Sequence, residues 1–454
     1  MIGQENLMIL EIFVKSCICL ERKIFPQANF YKELKMTFKK IFQKTYRESR
    51  GANPLTFVFC LLAQVYMQSL KTHSKAFLIL KNLQFFKQRI AEFYFAEIFY
   101  FYGDFTRSLK HLDCFLKSNP NHADAIYLQV MLLAYLGCKQ EAFLSLEHLL
   151  QKSKRLKTWI ILAKIIQDSK DLEAAKQILS NNLYRLERFK PHQWEILKHL
   201  ANAAARIGEY KEAKRLFKES LFLQGNSKNL ITKEVMDLKS AKEALEDLRN
   251  LLEANEIQMF LVSGTFLGCV REHNFISYDK DIDVGIYKQD LQKAREVLQK
   301  SKNFKLNTLF KNYQGGVQIR HLNNTYIDVF AHYEERGRIY HDGDYVRWWN
   351  TPFKLAPYEF LGKQYLAPKN YTLYLKENYG EWKTPKDSAQ YETFLTTPNM
   401  EITNKQWFIC SLYNLLFEVF SMRNESKILE RLRELGEKDF VQEYLEFKQG
   451  ITTE

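Results

Sequence analysis

The chain carries two hydrophobic rhythms. Over roughly its first half apolar residues recur at helical spacing, as in Phe30, Leu34, Phe38, Ile41 and Phe42, until Gly51, Asn53 and Pro54 break the run. Residues 1 to about 55 therefore predict two or three helices. From Gln258 the rhythm changes. An apolar run from Met259 to Val262 meets the small-residue turn Ser263-Gly264-Thr265, a short amphipathic helix follows, and then Asp281 and Asp283 alternate with Ile282 and Val284. Alternation of this kind predicts a strand with one buried face, on which residues two apart point the same way.

The helical half repeats itself. Turn signals GDF, GCK, KDL and GEY begin at Gly103, Gly137, Lys170 and Gly208, and each leads into a small residue: Ser108, Ala142, Ala175 and Ala213. A weaker copy spans Lys71 to His73, with Ala76 in the small position. A small side chain where two helices cross lets their axes approach, and a Gly or polar turn joins the pair. Tyr100, Asn119 with Pro120, Leu146 and Leu179 fall at matching places. The pattern resembles the tetratricopeptide repeat, a helical hairpin with a period of about 34 residues, although the Trp and Gly usual in its first helix are mostly absent. About five hairpins would stack into a curved solenoid, a form that serves to bind a partner or to support its neighbour.

Gly225, Asn226 and Ser227 read as a linker, and Leu238, Ala241, Leu245, Leu248, Leu251 and Leu252 as one face of a helix closed by Asn255. Beyond Tyr287 come a charged amphipathic helix (Leu291 to Leu298), strand-like runs from Phe304 to Leu309 and Gly316 to His321, and the apolar strand Thr325 to Phe330. That strand carries a lone Asp328, whose burial is costly unless something compensates it. Asp281 and Asp283, with Asp279, would share a face, and mutual repulsion is relieved by a cation or a shared proton. Gly264 admits a ligand close to the backbone, and the N–H groups of the helix start favour phosphate oxygens. The competing reading, a solvated Asp-x-Asp pair on a strand edge, is the commoner one for such a motif alone. The glycine turn and Asp328 together move the balance towards a Mg²⁺ or Mn²⁺ site beside a phosphate cradle, the constellation of the nucleotidyltransferase fold.

Composition narrows the setting. With 454 residues, 46% apolar and 14% aromatic content, the chain can bury several cores, and only 9 Pro and 17 Gly favour a mainly helical protein. The 66 Lys and Arg exceed 53 Asp and Glu for a net +13, spread along the chain without a cationic block. A basic solvated surface accounts for that balance better than a nucleic-acid site does, and such a surface still favours anionic partners such as nucleotides, phosphoglycans or an acidic membrane face. Seven Cys without metal-ligand spacing read as reduced thiols of a cytoplasmic protein. The apolar stripe from Leu7 to Leu20 is broken by Glu11 and Lys15, so no transmembrane segment is expected, and peripheral contact at the inner membrane face remains open.

With those residues in view, the stretch from about 230 to 400 resembles the LicD/fukutin-related family. The family turn G-T-x-L-G-x-x-R is matched by Gly264, Thr265, Leu267, Gly268 and Arg271. Its Asp-rich stretch corresponds to Asn274 through Asp283, with departures at Asn274, Ser277, Tyr278 and Lys280 that lean to the fukutin side, whose K-D-x-D-x-G-I strand matches Lys280 to Ile286. A closing element is matched by Pro368, Tyr371, Tyr374, Leu375, Tyr379, Gly380, Trp382 and Pro385. The resemblance implies a metal-dependent phosphotransferase that moves a phosphate-linked group, such as phosphocholine or ribitol phosphate, from a CDP-activated donor to a glycan or lipid-linked glycan and releases CMP. Asp281 and Asp283, with Asp279, would hold the metal, and Asp328 would be the base or a further ligand. Ser263, Gly264 and Thr265 would form the cradle and Arg271 would pair with donor phosphate.

The expected fold class is α+β multidomain: an N-terminal all-α helical-repeat solenoid (1–225), a nucleotidyltransferase-fold α/β domain (230–400), and a C-terminal helical extension (401–454) packed back on the catalytic domain. His273, His321, His332 and His341 read as ordinary histidines, and Trp348 and Trp349 as core or lip packing, the alternative being a stack on a base or sugar. Two other functions stay open: transfer of the nucleotide part itself, or a repeat scaffold, bound to a protein partner, whose catalytic domain is inactive.

Overall fold

The computed structural model describes residues 40–68, 72–153, 155–182, 192–225, 236–306, 314–385, 397–418 and 422–452. The helices expected before residue 40 and the linker residues Asn226 and Ser227 lie outside them. The chain is α+β: a helical region, a mixed sheet, and closing helices.

Among the described residues the first region holds a helical stretch at 40–48 and then α1 Pro54–Tyr66, α2 His73–Phe85, α3 Ile90–Phe101, α4 Phe105–Ser118, α5 Ala123–Leu136, α6 Lys139–Leu150, α7 Leu156–Lys164, α8 Ser169–Asn181, α9 Gln193–Arg206 and α10 Tyr210–Gln224. α1 with α2, α3 with α4, α5 with α6, and α9 with α10 pair as hairpins, whereas α7 packs chiefly on α9. The small residues Ala76, Ser108, Ala142, Ala175 and Ala213 are all fully buried, which is the close helix crossing their size permits. Ser108 keeps its hydroxyl satisfied by donating to the Ala96 carbonyl at 2.7 Å. One turn sits elsewhere than its signal suggests. Lys170 to Leu172 lie inside α8, whose N-cap Asp168 accepts from the Asp171 N–H at 2.9 Å, so the turn falls just before it. The Lys170-Asp171-Leu172 signal resembles a turn because capping boxes and turns use the same polar residues.

Helix α11 Leu238–Glu253, capped by Asp237 accepting from the Ser240 N–H at 2.8 Å, leads to the sheet. The sheet region runs β1 Phe260–Leu261, α12 Ser263–Arg271, β2 Asp281–Tyr287, α13 Leu291–Lys300, β3 Phe304–Leu306, β4 Gly316–His321, β5 Tyr326–Glu335, β6 Arg338–Asp342, β7 Val346–Asn350, β8 Leu355–Phe360, β9 Lys363–Pro368, α14 Tyr371–Tyr379 and β10 Met400–Ile402. The strand order is β10-β7-β6-β5-β2-β1-β9-β8, with β4 pairing β5 and β3 pairing β4. Strands β2 and β5 run parallel at its centre. Their inward faces, Ile282, Val284 and Ile286 with Ile327, Val329 and Ala331, are at most 1% exposed and pack on Leu245, Leu248 and Leu252 of α11. Strands β6 to β9 were not foreseen. Their sequences alternate weakly and are dense in aromatics, for instance Val346-Arg-Trp-Trp-Asn, so both faces carry apolar surface and the period-2 signal is blurred.

The last helices, α15 Lys405–Leu415, α16 Met422–Glu434 and α17 Lys438–Thr452, pack differently from expectation. They lie chiefly on α9 and α10, with Tyr345 and Val346 of the sheet at the margin. Trp194 stacks on Phe417 at 5.8 Å, Phe217 meets Tyr413 and Phe417 at 6.3 Å each, and Lys214 pairs with Glu437 at 3.0 Å. The last repeat hairpin presents an aromatic face, and Phe417, Tyr413 and Phe440 are the apolar groups that cover it. Residues on both sides of 225 thus belong to one continuous core.

Candidate active site

The alternation read from the sequence has a stereochemical consequence at the centre of the sheet. With β2 and β5 parallel and in register, Asp283 stands beside Asp328 and Asp281 beside Tyr326. The carboxylates share the face opposite the apolar one, as period 2 requires. Helix α12 begins directly above. The Gly264 N–H donates to Asp283 Oδ2 at 3.0 Å, and the Asp283 N–H donates to Thr265 Oγ1 at 2.8 Å. This reciprocal pair locks the start of the helix to the middle of the Asp strand.

Gly264 is required by close approach. A Cβ there would lie 2.7 Å from Asp279 Oδ2 and 3.3 Å from Asp283 Oδ2, so both carboxylates press against the space only hydrogen can occupy. Gly268, one turn on, faces the Asn274 carbonyl, which a Cβ would meet at 2.5 Å. The two motif glycines let α12 sit on the loop that delivers Asp279.

Charge is stored here. Burial first, and then the neighbouring carboxylates Asp281, Asp279 and Asp328, push the Asp283 carboxyl well above its ordinary range. Burial and Asp281 hold Asp279 up to about 7, and Asp328 likewise up to about 7. Burial also raises Asp281, against the pull of Lys280. At an effective dielectric of about 20, two charges about 4 Å apart repel by about 4 kcal/mol, enough to favour protons or a cation over bare carboxylates.

The oxygen-only donor set suits a hard divalent cation, and the Asp279 and Asp283 oxygens converging on Gly264 give it a place. As the side chains stand, no three His, Cys, Asp or Glu groups among the described residues enclose a single ion position. The fit is therefore that of a charged pair with Asp281 on the same strand face.

A cleft of about 290 Å³ opens over these residues. Ser263, Gly264, Arg271, Asp279, Asp281 and Asp283 line it; Asp328 and Thr265 do not. Thr265 is buried, with its hydroxyl committed to the Asp283 backbone. Ser263 adopts a left-handed φ of 46° and its N–H donates to the Tyr374 hydroxyl at 3.3 Å. Arg271 donates to the Trp382 carbonyl at 3.3 Å and to Glu272 at 2.7 Å, while its Nε is buried without a hydrogen-bond partner. Part of the guanidinium is thus held by the protein.

The opposite wall was not foreseen as part of the site. It is built by Tyr278, Phe330, His341, Trp348, Asn378, Tyr379, Glu381 and Trp382. The closing motif supplies several of these, so its Tyr and Trp positions were the signal; Glu381, between Gly380 and Trp382, gave none. Trp348 lines the cleft and stacks on His341 at 5.2 Å with planes 14° apart. Trp349 lies instead under the Arg338 guanidinium at 4.0 Å. The histidines do not gather: His321 is tied to Asp247 at 3.1 Å and His273 is exposed. His332 and His341 are cross-strand neighbours 4.8 Å apart, both buried, and burial lowers both below the usual imidazole range, His332 to about 4.

Comparison with known proteins places this geometry. The LicD/FKTN/FKRP nucleotidyltransferase domain matches residues 256–370. Human ribitol-5-phosphate transferase FKTN is 29% identical over 201 residues, 42% of each chain. Mouse ribitol 5-phosphate transferase FKRP is 24% identical over 156 residues, 32% of each chain. An uncharacterized protein of Rickettsia typhi, RT0683, is 27% identical over 156 residues, 32% of this chain and 46% of its own. The chain thus spans under half the length of these relatives. Among the described residues no helix is long and apolar enough to cross a membrane. Match, motif residues and carboxylate face coincide within residues 256–370, the stretch that matches the LicD/FKTN/FKRP nucleotidyltransferase domain.

Proposed function

We propose that this chain is a phosphotransferase that moves a phosphate-linked group from a CDP-activated donor to a hydroxyl of a glycan or lipid-linked glycan. The observation that carries the reading is the in-register pair Asp283 and Asp328 on one face, beneath the start of α12 and beside Asp279 and Asp281. The names of the relatives FKTN and FKRP favour ribitol phosphate as the transferred group.

Asp281 and Asp283, with Asp279, would hold Mg²⁺ or Mn²⁺, whose charge when bound offsets the repulsion between the carboxylates and the donor diphosphate. Ser263 and Gly264 stand at the helix start, where N–H groups and the dipole favour anionic oxygen; the Gly264 N–H is already given to Asp283. Thr265 positions Asp283 through its backbone. Arg271 offers what is left of its guanidinium to donor phosphate. Asp328, beside Asp283 but outside the cleft lining, would be the base or a further ligand, its carboxyl held up to about 7 by burial and Asp281. The acceptor oxygen bonds to the phosphorus of the transferred group, the bond from that phosphorus to CMP breaks, and the acceptor proton passes to a carboxylate of this face. The helical repeats would hold the acceptor's carrier or a protein partner.

Product analysis tests this reading. Incubation with CDP-ribitol and a glycan acceptor should release CMP and add mass to the glycan. Release of pyrophosphate from a nucleoside triphosphate, with the nucleotide left on a product, would transfer the protein to the nucleotidyl-transferring class.

A further inference from the structure

A second cavity, about 520 Å³, lies between the first repeat helices and the β3–β4 edge of the sheet. Its charge is opposite to that of the acidic cleft. Lys44, Arg47, Lys305 and Arg320 line it, with Glu97 as the one carboxylate among the lining residues. Lys44 uses Glu97 at 2.9 Å, and Arg47 is turned to Asp124 at 3.4 Å.

Lys305 and Arg320 are different. They stand directly opposite one another in the antiparallel β3–β4 register, an arrangement in which like charges destabilise a sheet. Among the described residues neither has a carboxylate within ion-pair distance. The Lys305 ammonium lies 3.1 Å from the centre of the Tyr100 ring, reaching from the sheet to α3. Burial and Arg320 push that ammonium well below the ordinary lysine range, against the pull of Glu97. An opposed lysine and arginine at a domain junction, with a cavity in front of them, would be relieved by a bound anion that draws the lysine back to its charged form.

We infer that this cavity binds a phosphate-bearing small molecule, with Lys305 and Arg320 as its charge partners and the Tyr100 ring as a wall. An ammonium beside a guanidinium fork matches phosphate oxygens, and the volume is that of a small-ligand pocket. The ligand would touch α3 and the sheet at once, so its binding would tie the repeats to the nucleotidyltransferase domain.

The experiment is a thermal-shift and calorimetric titration of the full chain with inorganic pyrophosphate and with glucose 1-phosphate, both in EDTA. EDTA removes the metal-bridged route to the acidic cleft, so failure here and failure of the phosphotransferase reading are separable. Each anion should raise the melting temperature. Lys305→Met and Arg320→Gln should melt at or above the wild-type temperature without ligand and bind at least about tenfold more weakly. Asp281→Asn should bind as wild type. If neither anion binds in EDTA, or if both cation variants bind as tightly as wild type, the inference is overturned. If either variant fails to fold, Tyr100→Leu, which leaves both cations, supplies the check: it should weaken glucose 1-phosphate, and unchanged binding there would count against the site.

Discussion

Two pairs of like charges stand side by side across strands of the same sheet: Asp283 with Asp328 on β2 and β5, and Lys305 with Arg320 on β3 and β4. The first is backed by a helix start, two further carboxylates and motif glycines that clear space for them. The second is backed by a cavity and an aromatic ring from another part of the chain. Both arrangements cost folding energy, and a sheet that only needed to fold would place neutral or opposite groups there. The difference lies in how local the support is. Gly264 and Thr265, which hydrogen-bond Asp283, lie 19 and 18 residues from it, whereas the cations meet Tyr100 from far along the chain.

The largest effect should come from breaking the acidic pair. Asp281→Asn and Asp283→Asn should each lower transfer by about 10²- to 10³-fold or more, while the metal-free protein melts no lower than wild type, because a repelling buried charge has gone. Steady-state rates and a metal-free melting curve check both halves. Activity within a few-fold of wild type would place the essential charge elsewhere.

Next comes the core that joins the repeats to the closing helices. Phe217 is fully buried against Tyr413 and Phe417, so Phe217→Ala should cost about 3 to 5 kcal/mol in denaturant unfolding. A chain starting at residue 226 would expose Tyr413, Phe417 and Phe440, and should be poorly soluble. A monodisperse, folded fragment 226–454 would show that the two sides of this core are independent.

Gly264→Ala sharpens the acidic side alone. Its methyl would push Asp279 and Asp283 apart, at a stability cost of about 1 to 3 kcal/mol and a larger loss of turnover than of melting temperature. The smallest change is Arg271→Lys. It keeps the charge but loses the hydrogen bond to the Trp382 carbonyl and the fork, so donor binding should weaken by about 1 to 3 kcal/mol. A lysine variant that melts earlier yet binds donor normally would assign Arg271 to its pair with Glu272.

The same contrast explains what could be read from the sequence. Asp281, Asp283 and Gly264 were legible because period-2 alternation and a glycine turn are local, and the small residues from Ala76 to Ala213 were legible because helix crossings repeat. The cleft's far wall was not. Phe330, His341 and Trp348 are brought to it by strand pairing across β5, β6 and β7, and pairing partners leave no mark in a single sequence. The seat of α15 to α17 on α9 and α10 was misread for the same reason: amphipathic helices declare that they have an apolar face but not what covers it. Asp328 reads in the sequence as facing the same cation as Asp281 and Asp283; strand register sets it beside Asp283, and it does not line the cleft.

Calorimetric titration of a CDP-activated donor such as CDP-ribitol, with Mg²⁺ and again with EDTA, tests the carboxylate face most directly. Binding should be measurable with Mg²⁺, lost in EDTA, and lost with Mg²⁺ in Asp283→Asn. Equal affinity in Mg²⁺ and EDTA, or unchanged affinity in Asp283→Asn, would contradict a metal-bridged donor site on β2 and β5.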